Sequence, residues 1–259
     1  MRKFVREQTE QREKKLAKEL RKLRKTPNDE NALHDLRVAN RRFVQCLRTF
    51  KTSFDPDDVK KLRRKLRRLM HRCGDVRDHD IAIKLLAEAG VRDAALVVKL
   101  GADRVKRQKK LVAELERWRG WRKKLKIRRS AGEVQDFARV ELPSMEREWH
   151  EAGDKAAKSE SYVTMHRFRI LSKRYRYTLE MFPGMVRQVD RLRTLQDHLG
   201  NINDCVVTRR LVGRHAQAKK ALGDLLKTRE REFHTFWKKL RETKRDGTLH
   251  IAPRRSGAA

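Results

Sequence analysis

Two stretches of the 259-residue chain place a histidine at the head of a file of cations at helical spacing. In the first, His34, Arg37, Arg41, Gln45 and Arg48 follow one another every three or four residues, and in the second His166, Arg169, Lys173 and Tyr177 do the same. Each residue of an α-helix turns by about 100°, so the first set lies within about 60° of His34, in a single longitudinal stripe. Leu36, Ala39, Phe43, Leu47 and Phe50 fall on the opposite side, as do Phe168, Leu171, Tyr175, Leu179 and Phe182 in the second stretch. Each stretch therefore predicts a helix with one packed face and one cationic face. The chemistry such a face can do is to bind phosphate. Arg makes forked, bidentate contacts to phosphate oxygens, Lys is a mobile point charge, and a His in line with them can add a hydrogen bond. A mixed stripe can follow a flexible chain of phosphates without demanding one register.

Like charges one turn apart cost an isolated helix roughly 0.2–0.5 kcal/mol per pair, so such a stripe is disfavoured unless a ligand neutralises it. Here it occurs twice. His34 to Phe43 aligns with His166 to Tyr175 at a constant offset of 132, and Leu47 and Phe50 continue onto Leu179 and Phe182. Further on, Leu66, Arg67, Leu69, Gly74, Asp78, Ile81 and Leu85 match Leu192, Arg193, Leu195, Gly200, Asp204, Val207 and Leu211 at an offset of 126. A connector six residues shorter in the second half reconciles the two offsets. Cations recur at Arg37/Arg169, Arg41/Lys173, Arg42/Arg174 and Arg67/Arg193. The chain reads as a tandem duplication of a helical unit, with a pseudo-twofold arrangement expected.

The elements that must position these residues are long helices. Only 12 Gly and 5 Pro punctuate the chain, and hydrophobic (38%) and charged (40%) residues balance as in helices with thin apolar stripes. Apolar spacing and breakers predict helices over Val5 to Lys25, Asp29 to Lys51, Pro56 to Cys73, Val76 to Ala89 and Val91 to Trp118. A second series runs over Glu133 to His150, Ser161 to Phe182, Met185 to Leu199, Asn203 to Leu211 and Arg214 to Arg241. The expected organisation is one all-α domain over residues 5–245, with halves at about 5–127 and 128–245 and a disordered tail at 246–259. Asp78 and Asp204, each after a glycine, read as helix caps. Trp118, Trp121 and Trp149 read as packing at the seam between the halves. The basic run Arg122, Lys123, Lys124, Lys126, Arg128 and Arg129 connects them, either extending the patch or simply solvated.

The net charge is +33, from 68 Lys and Arg against 35 Asp and Glu. Self-repulsion on that scale points to a partner carrying many negative charges. An odd number of cysteines, Cys46, Cys73 and Cys205, without CxxC spacing suggests inert thiols in a reducing compartment. No leader-like apolar segment opens the sequence and none approaches the roughly 18 apolar residues of a membrane span, so a cytoplasmic protein is expected.

The segments HDLRVANRRFVQCLRTF and MHRFRILSKRYRYTLEMF, followed by LRRLMHRCGDVRDHDIAIKLL and LRTLQDHLGNINDCVVTRRLV, resemble the CHAD domain, the conserved histidine α-helical domain. The resemblance covers roughly Leu16 to Leu240. It implies two pseudo-symmetric four-helix bundles that bind inorganic polyphosphate through the basic stripe, often at polyphosphate granules. Carried onto this chain, the binding set is His34, Arg37, Arg41, Arg42, Arg48 and Arg67 with His166, Arg169, Lys173, Arg174, Arg176 and Arg193. The family pattern H-x-x-R-x-x-x-[RK]-[RK]-x-R is complete in the second copy through Arg176; in the first, Val44 stands at the last position, with Arg48 one turn on. The family also occurs fused to triphosphate-tunnel catalytic domains, but no Glu-x-Glu-x-Lys signature of those domains is present.

A catalytic reading is weaker. The pairs His34-Asp35 and His79-Asp80 suggest metal phosphohydrolases, but adjacent helical residues diverge by about 100°, and Arg167 replaces Asp35 in the second copy. Neither a Walker loop, a nucleophile elbow nor zinc-ligand spacing is found, and no cofactor is expected. Nonspecific nucleic-acid binding is the competing expectation, because any protein this basic gains from counterion release. Aromatic residues at 6% and the lack of a reader motif speak against sequence-specific recognition.

Overall fold

The structure is a computed structural model that describes residues 2–121, 125–128, 134–159, 161–182 and 185–245. These residues form eight α-helices: α1 (Arg2–Lys25), α2 (Glu30–Thr49), α3 (Pro56–Glu88), α4 (Ala94–Glu116), α5 (Val134–Ala157), α6 (Tyr162–Leu179), α7 (Val186–Leu211) and α8 (Ala216–Arg245). A 3₁₀ turn at Lys51–Ser53 and one isolated bridge between Phe54 and Ile127 are the other regular features among them. The protein is all-α, as the periodicity predicts. The expected tail at 246–259 lies outside the described residues, as do Arg122, Lys123, Lys124 and Arg129 of the basic connector.

Ten helices were expected and eight form, because α3 and α7 run straight through Gly74 and Gly200. An interior glycine costs a helix about 1 kcal/mol relative to alanine. In α3 that cost is outweighed by an apolar face that keeps its phase on both sides: Leu66, Leu69, Cys73, Val76 and Ala82 are all buried. The glycines that do end helices have left-handed backbones, Gly90 (φ 70°) after α3 and Gly213 (φ 60°) after α7. Asp78 and Asp204 are therefore interior residues of α3 and α7 rather than caps.

The described residues divide into two compact units, those within 1–134 and 204–226 and those within 135–203 and 227–245. In the first, α1 packs on α2 and α3 on α4. Asp29 caps α2, its carboxylate accepting from the N–H groups of Asn31 (2.8 Å) and Ala32 (3.1 Å). Asp55 caps α3 ahead of Pro56, which needs no N–H at that position. Leu36, Ala39, Phe43, Leu47 and Phe50 are buried, as the helical angles require. Complete burial of one such side chain contributes about 1.5–3 kcal/mol. The ends of α3, α4, α7 and α8 that belong to this unit share a core of Leu85, Leu86, Leu96, Leu100, Cys205 and Leu222.

The second unit is built on aromatic side chains. Trp149 of α5 lies 5.9 Å from the Phe168 ring, 5.7 Å from Tyr175 and 5.2 Å from Trp237, and its indole N–H donates to Ser172 Oγ at 2.9 Å. Gly153 permits this packing, since a Cβ there would meet the Trp237 ring at 2.2 Å. Trp118 and Trp121 belong to the first unit, where their rings are 5.3 Å apart and Trp121 meets Phe43 at 6.3 Å. Trp118 and Trp121 thus pack within the first unit and Trp149 within the second.

Candidate phosphate-binding faces

On α2 the cationic face forms much as the spacing predicts. His34 and Arg48 are exposed, and Arg37, Arg41 and Arg42 are half-buried beside the apolar face. Gln45 departs from the expected stripe: it is buried and donates to Thr49 Oγ1 at 3.3 Å. Asn40, also buried, ties α2 to α3 by donating to the Leu66 carbonyl at 3.2 Å. Arg67 is exposed on α3.

Arg37 reaches across to α3, where its guanidinium lies over Gly74; a Cβ there would stand 3.3 Å from Nη1. Its charge also acts on buried Cys73 and half-buried Asp78 of α3. Burial pushes the Cys73 thiol up to about 12 against the pull of Arg37. Asp78 is likewise raised by burial, with Arg37 and His79 favouring its ionised form and Asp204 and Asp75 opposing it.

His34 titrates below its ordinary range. Partial desolvation of a ring that still reaches solvent is the main cause, followed by repulsion from Arg41 and Arg77, with Asp35 opposing and Arg37 adding to the repulsion. Arg77 binds Glu30 at 2.9 Å, and Lys84 pairs with the same carboxylate. Arg77 thus acts on His34 at the head of the stripe and is itself paired with Glu30.

The second unit holds its counterpart at the same repeat positions. An offset of 132 carries Glu30 and His34 onto Tyr162 and His166, and 126 carries Arg77 onto Asn203. There, the Tyr162 hydroxyl donates to Asn203 Oδ1 at 3.0 Å, and His166 Nδ1 lies 3.3 Å from both oxygens. Glu30, Arg77, Tyr162 and Asn203 carry no signal in the spacing of either stripe; the repeat offsets of 132 and 126 are what pair them.

Along α6, Arg169 and Lys173 are half-buried and Arg174 is exposed. Arg176 turns inward: its Nε lies 3.7 Å from Glu180, and its guanidinium carbon sits 4.8 Å over the Tyr177 ring. Tyr177, expected on the stripe, is buried beneath it. Arg193 is exposed on α7 and pairs with the equally exposed Asp190 at 2.7 Å. The last arginine of the family pattern therefore supports α6 internally, and its replacement by Val44 in the first copy removes no surface cation.

The His-Asp pairs separate, as adjacent helical positions must. Asp35 pairs with Lys22 at 3.3 Å, His79 Nδ1 meets the Asp75 carbonyl at 2.7 Å, and Asp80 binds Arg104 at 2.7 Å. Among the described residues no three His, Cys, Asp or Glu side chains gather as a metal site would require, and no helix is long and apolar enough to cross a membrane.

A family model for the CHAD domain matches residues 7–213. Comparison with curated proteins gave no match. Among solved structures, PptA from Streptomyces chartreusis is similar at 15% identity and a TM-score of 0.66, over 94% of this chain and 98% of that one. The CHAD domain from the plant Ricinus communis is similar at 22% identity and a TM-score of 0.53, over 89% and 91%. At these identities the likeness is one of fold. The family match extends over both histidine-led helices and the segments of α3 and α7 that face them in the repeat, and the chain belongs to the CHAD domain family.

Proposed function

We propose that the protein binds inorganic polyphosphate without catalysis, along the cationic faces of α2 and α6. The observation that carries this reading is recurrence: at equivalent positions of the two halves a histidine heads a file of cations beside the same position of the following helix, Arg77 in one half and Asn203 in the other. A solvated basic surface needs no such recurrence, and like charges one turn apart oppose it. Several weak contacts from both units act on one polymer, so longer chains bind more tightly than short ones. The non-catalytic reading rests on the separate commitments of His79, Asp80 and Asp35 described above.

Burial raises Cys46 and Cys73 above the ordinary thiol range, and all three cysteines are buried. Thiols held in that way are unreactive, which suits a cytoplasmic protein associated with polyphosphate granules. The alternative is nonspecific nucleic-acid binding through net charge. Competition separates the two. Long-chain polyphosphate should displace duplex DNA from the full chain at about 0.15 M salt, where exposed charges more than about 8 Å apart are screened. Retention of DNA against excess polyphosphate would reverse the assignment.

A further inference from the structure

At the start of α3 the first unit contains a hollow of about 700 Å³ that the repeated stripe does not explain. Six cations line it: Lys51, Lys60, Arg63, Arg64, Arg67 and Arg128. They come from three separate stretches of chain. Lys51 opens the 3₁₀ turn after α2, four belong to α3, and Arg128 is held alongside by its own N–H, which donates to the Ser53 carbonyl at 2.9 Å. The adjoining bridge between Phe54 and Ile127 fixes that strand of chain in place. Arg128 pairs with Asp55, the residue whose carboxylate also caps α3. Among the described residues, Lys51, Lys60, Arg63, Arg64 and Arg67 have no carboxylate within ion-pair distance.

The second copy shows that, Arg67 apart, this cup is not part of the duplicated machinery. An offset of 126 carries Lys60, Arg63 and Arg64 onto Val186, Val189 and Asp190, and Arg67 alone onto another cation, Arg193. Asp190, at the position of Arg64, pairs with Arg193 at 2.7 Å. One half therefore neutralises the position internally, whereas the other collects positive charge around a cavity. Gathering five such groups without counter-charge is unfavourable unless an anion joins them. The shape is also different: a cup a few residues across, rather than a stripe running several turns along a helix.

We propose that this hollow is a second anion site, which takes a compact di- or triphosphate group and shares only Arg67 with the binding set of the stripe. Forked guanidinium groups from Arg63, Arg64 and Arg67 suit the closely spaced oxygens of such a group, while Lys51 and Lys60 supply point charge at the rim. The triphosphate chemistry is shared by a short inorganic oligophosphate and by the tail of a nucleoside triphosphate. The inference does not depend on whether the stripe binds polyphosphate.

The test is titration of the full chain with tripolyphosphate and, separately, with ATP, at about 0.15 M salt. Three proteins are compared: the unsubstituted chain, a Lys60→Gln/Arg63→Gln/Arg64→Gln variant, and a Lys99→Gln/Lys109→Gln/Lys110→Gln variant that loses equal charge from the exposed face of α4. The proposal expects the first variant to weaken tripolyphosphate by about tenfold or more, corresponding to about 1.4 kcal/mol, and the second by less than about twofold. ATP following the same pattern identifies a nucleotide as a source of the group; response to tripolyphosphate alone identifies the inorganic form. Equal weakening in both variants, or absence of tripolyphosphate binding to the unsubstituted chain, overturns the site. Long-chain polyphosphate read in parallel tests independence, because a tenfold loss there in the first variant would make the hollow a part of the stripe. Helix content by circular dichroism is read for each variant, and these exposed or half-buried side chains are expected to leave it unchanged.

Discussion

The guanidinium of Arg37 lies over the backbone of Gly74, close enough that a Cβ on that residue would stand 3.3 Å from Nη1. The glycine interrupts no helix; it leaves room for the cation of α2 to rest on α3. At its counterpart Gly200 a Cβ would meet no atom within 4 Å beyond its own chain neighbours and the adjacent turns of its helix backbone. The two positions therefore separate a contact from a propensity. Gly200→Ala should stabilise the protein by about 0.5–1 kcal/mol, the usual gain for an interior helical glycine, and leave ligand affinity unchanged. Gly74→Ala should show a similar gain in thermal unfolding, because Arg37 ends in a flexible tip, but shift Arg37 and weaken polyanion binding by about twofold to fivefold. Equal binding by both variants would show that the Arg37 contact is immaterial.

Gly153 is the opposite case. A Cβ there meets Trp237 at 2.2 Å and Phe168 at 2.9 Å, within a cluster that has no room to retreat. Gly153→Ala should destabilise by about 1–3 kcal/mol, as overpacking does, despite its better helix propensity. Chemical denaturation measures it directly, and a neutral result would contradict the packing described for the second unit.

His34 should make polyanion binding depend on pH. Its folded-state value is depressed, first by partial desolvation and then by the charges of Arg41 and Arg77, so in the free protein it is neutral at about pH 7 and above. A group depressed in this way disfavours the folded state as pH falls below the unfolded value of about 6.5. A polyanion laid on the stripe reverses the repulsion and favours proton uptake. Affinity should therefore rise as pH falls from about 7.5 to about 5.5, by at most about tenfold per pH unit for one proton. His34→Gln should flatten that profile more than it lowers affinity at about pH 8. An unaltered slope would remove His34 from the site.

Asp78 carries the reverse sign. Burial raises it above its ordinary carboxylate value, aided by Asp204 and Asp75 against Arg37 and His79. Its contribution to stability is full below the unfolded value and is lost as pH rises through the raised one. Asp78→Asn should accordingly raise the melting temperature at about pH 7 by roughly 2–4 °C, the effect of about 1 kcal/mol in a chain of this size, and do little at about pH 4. Binding should tighten, since a negative charge beside Arg37 is removed. A variant less stable at pH 7 would mean that Arg37 needs the carboxylate more than burial penalises it.

Much of this architecture is legible from residue periodicity. The core faces of α2 and α6 follow from apolar positions recurring at three and four residues, and these are dictated by local geometry. Residues at the margin of a stripe are harder. Gln45 and Tyr177 fall within the angular range of the cations yet are buried, because a helix packed on its neighbours covers more than half of its circumference. Continuity through Gly74 and Gly200 is a tertiary effect that outweighs a penalty of about 1 kcal/mol each. The partnership of His166 with Asn203 spans 37 residues, and no local pattern encodes it. Only the agreement of two repeat offsets points there.

The central claim is that the cations heading α2 and α6 hold the polymer, and the direct test is the dissociation constant for long-chain polyphosphate of an Arg37→Glu/Arg169→Glu variant. At about 0.15 M salt the account predicts a loss of at least about a hundredfold, with helix content by circular dichroism unchanged because neither side chain belongs to the buried apolar face. Affinity within about twofold of the unsubstituted chain, in a variant still folded, would contradict it.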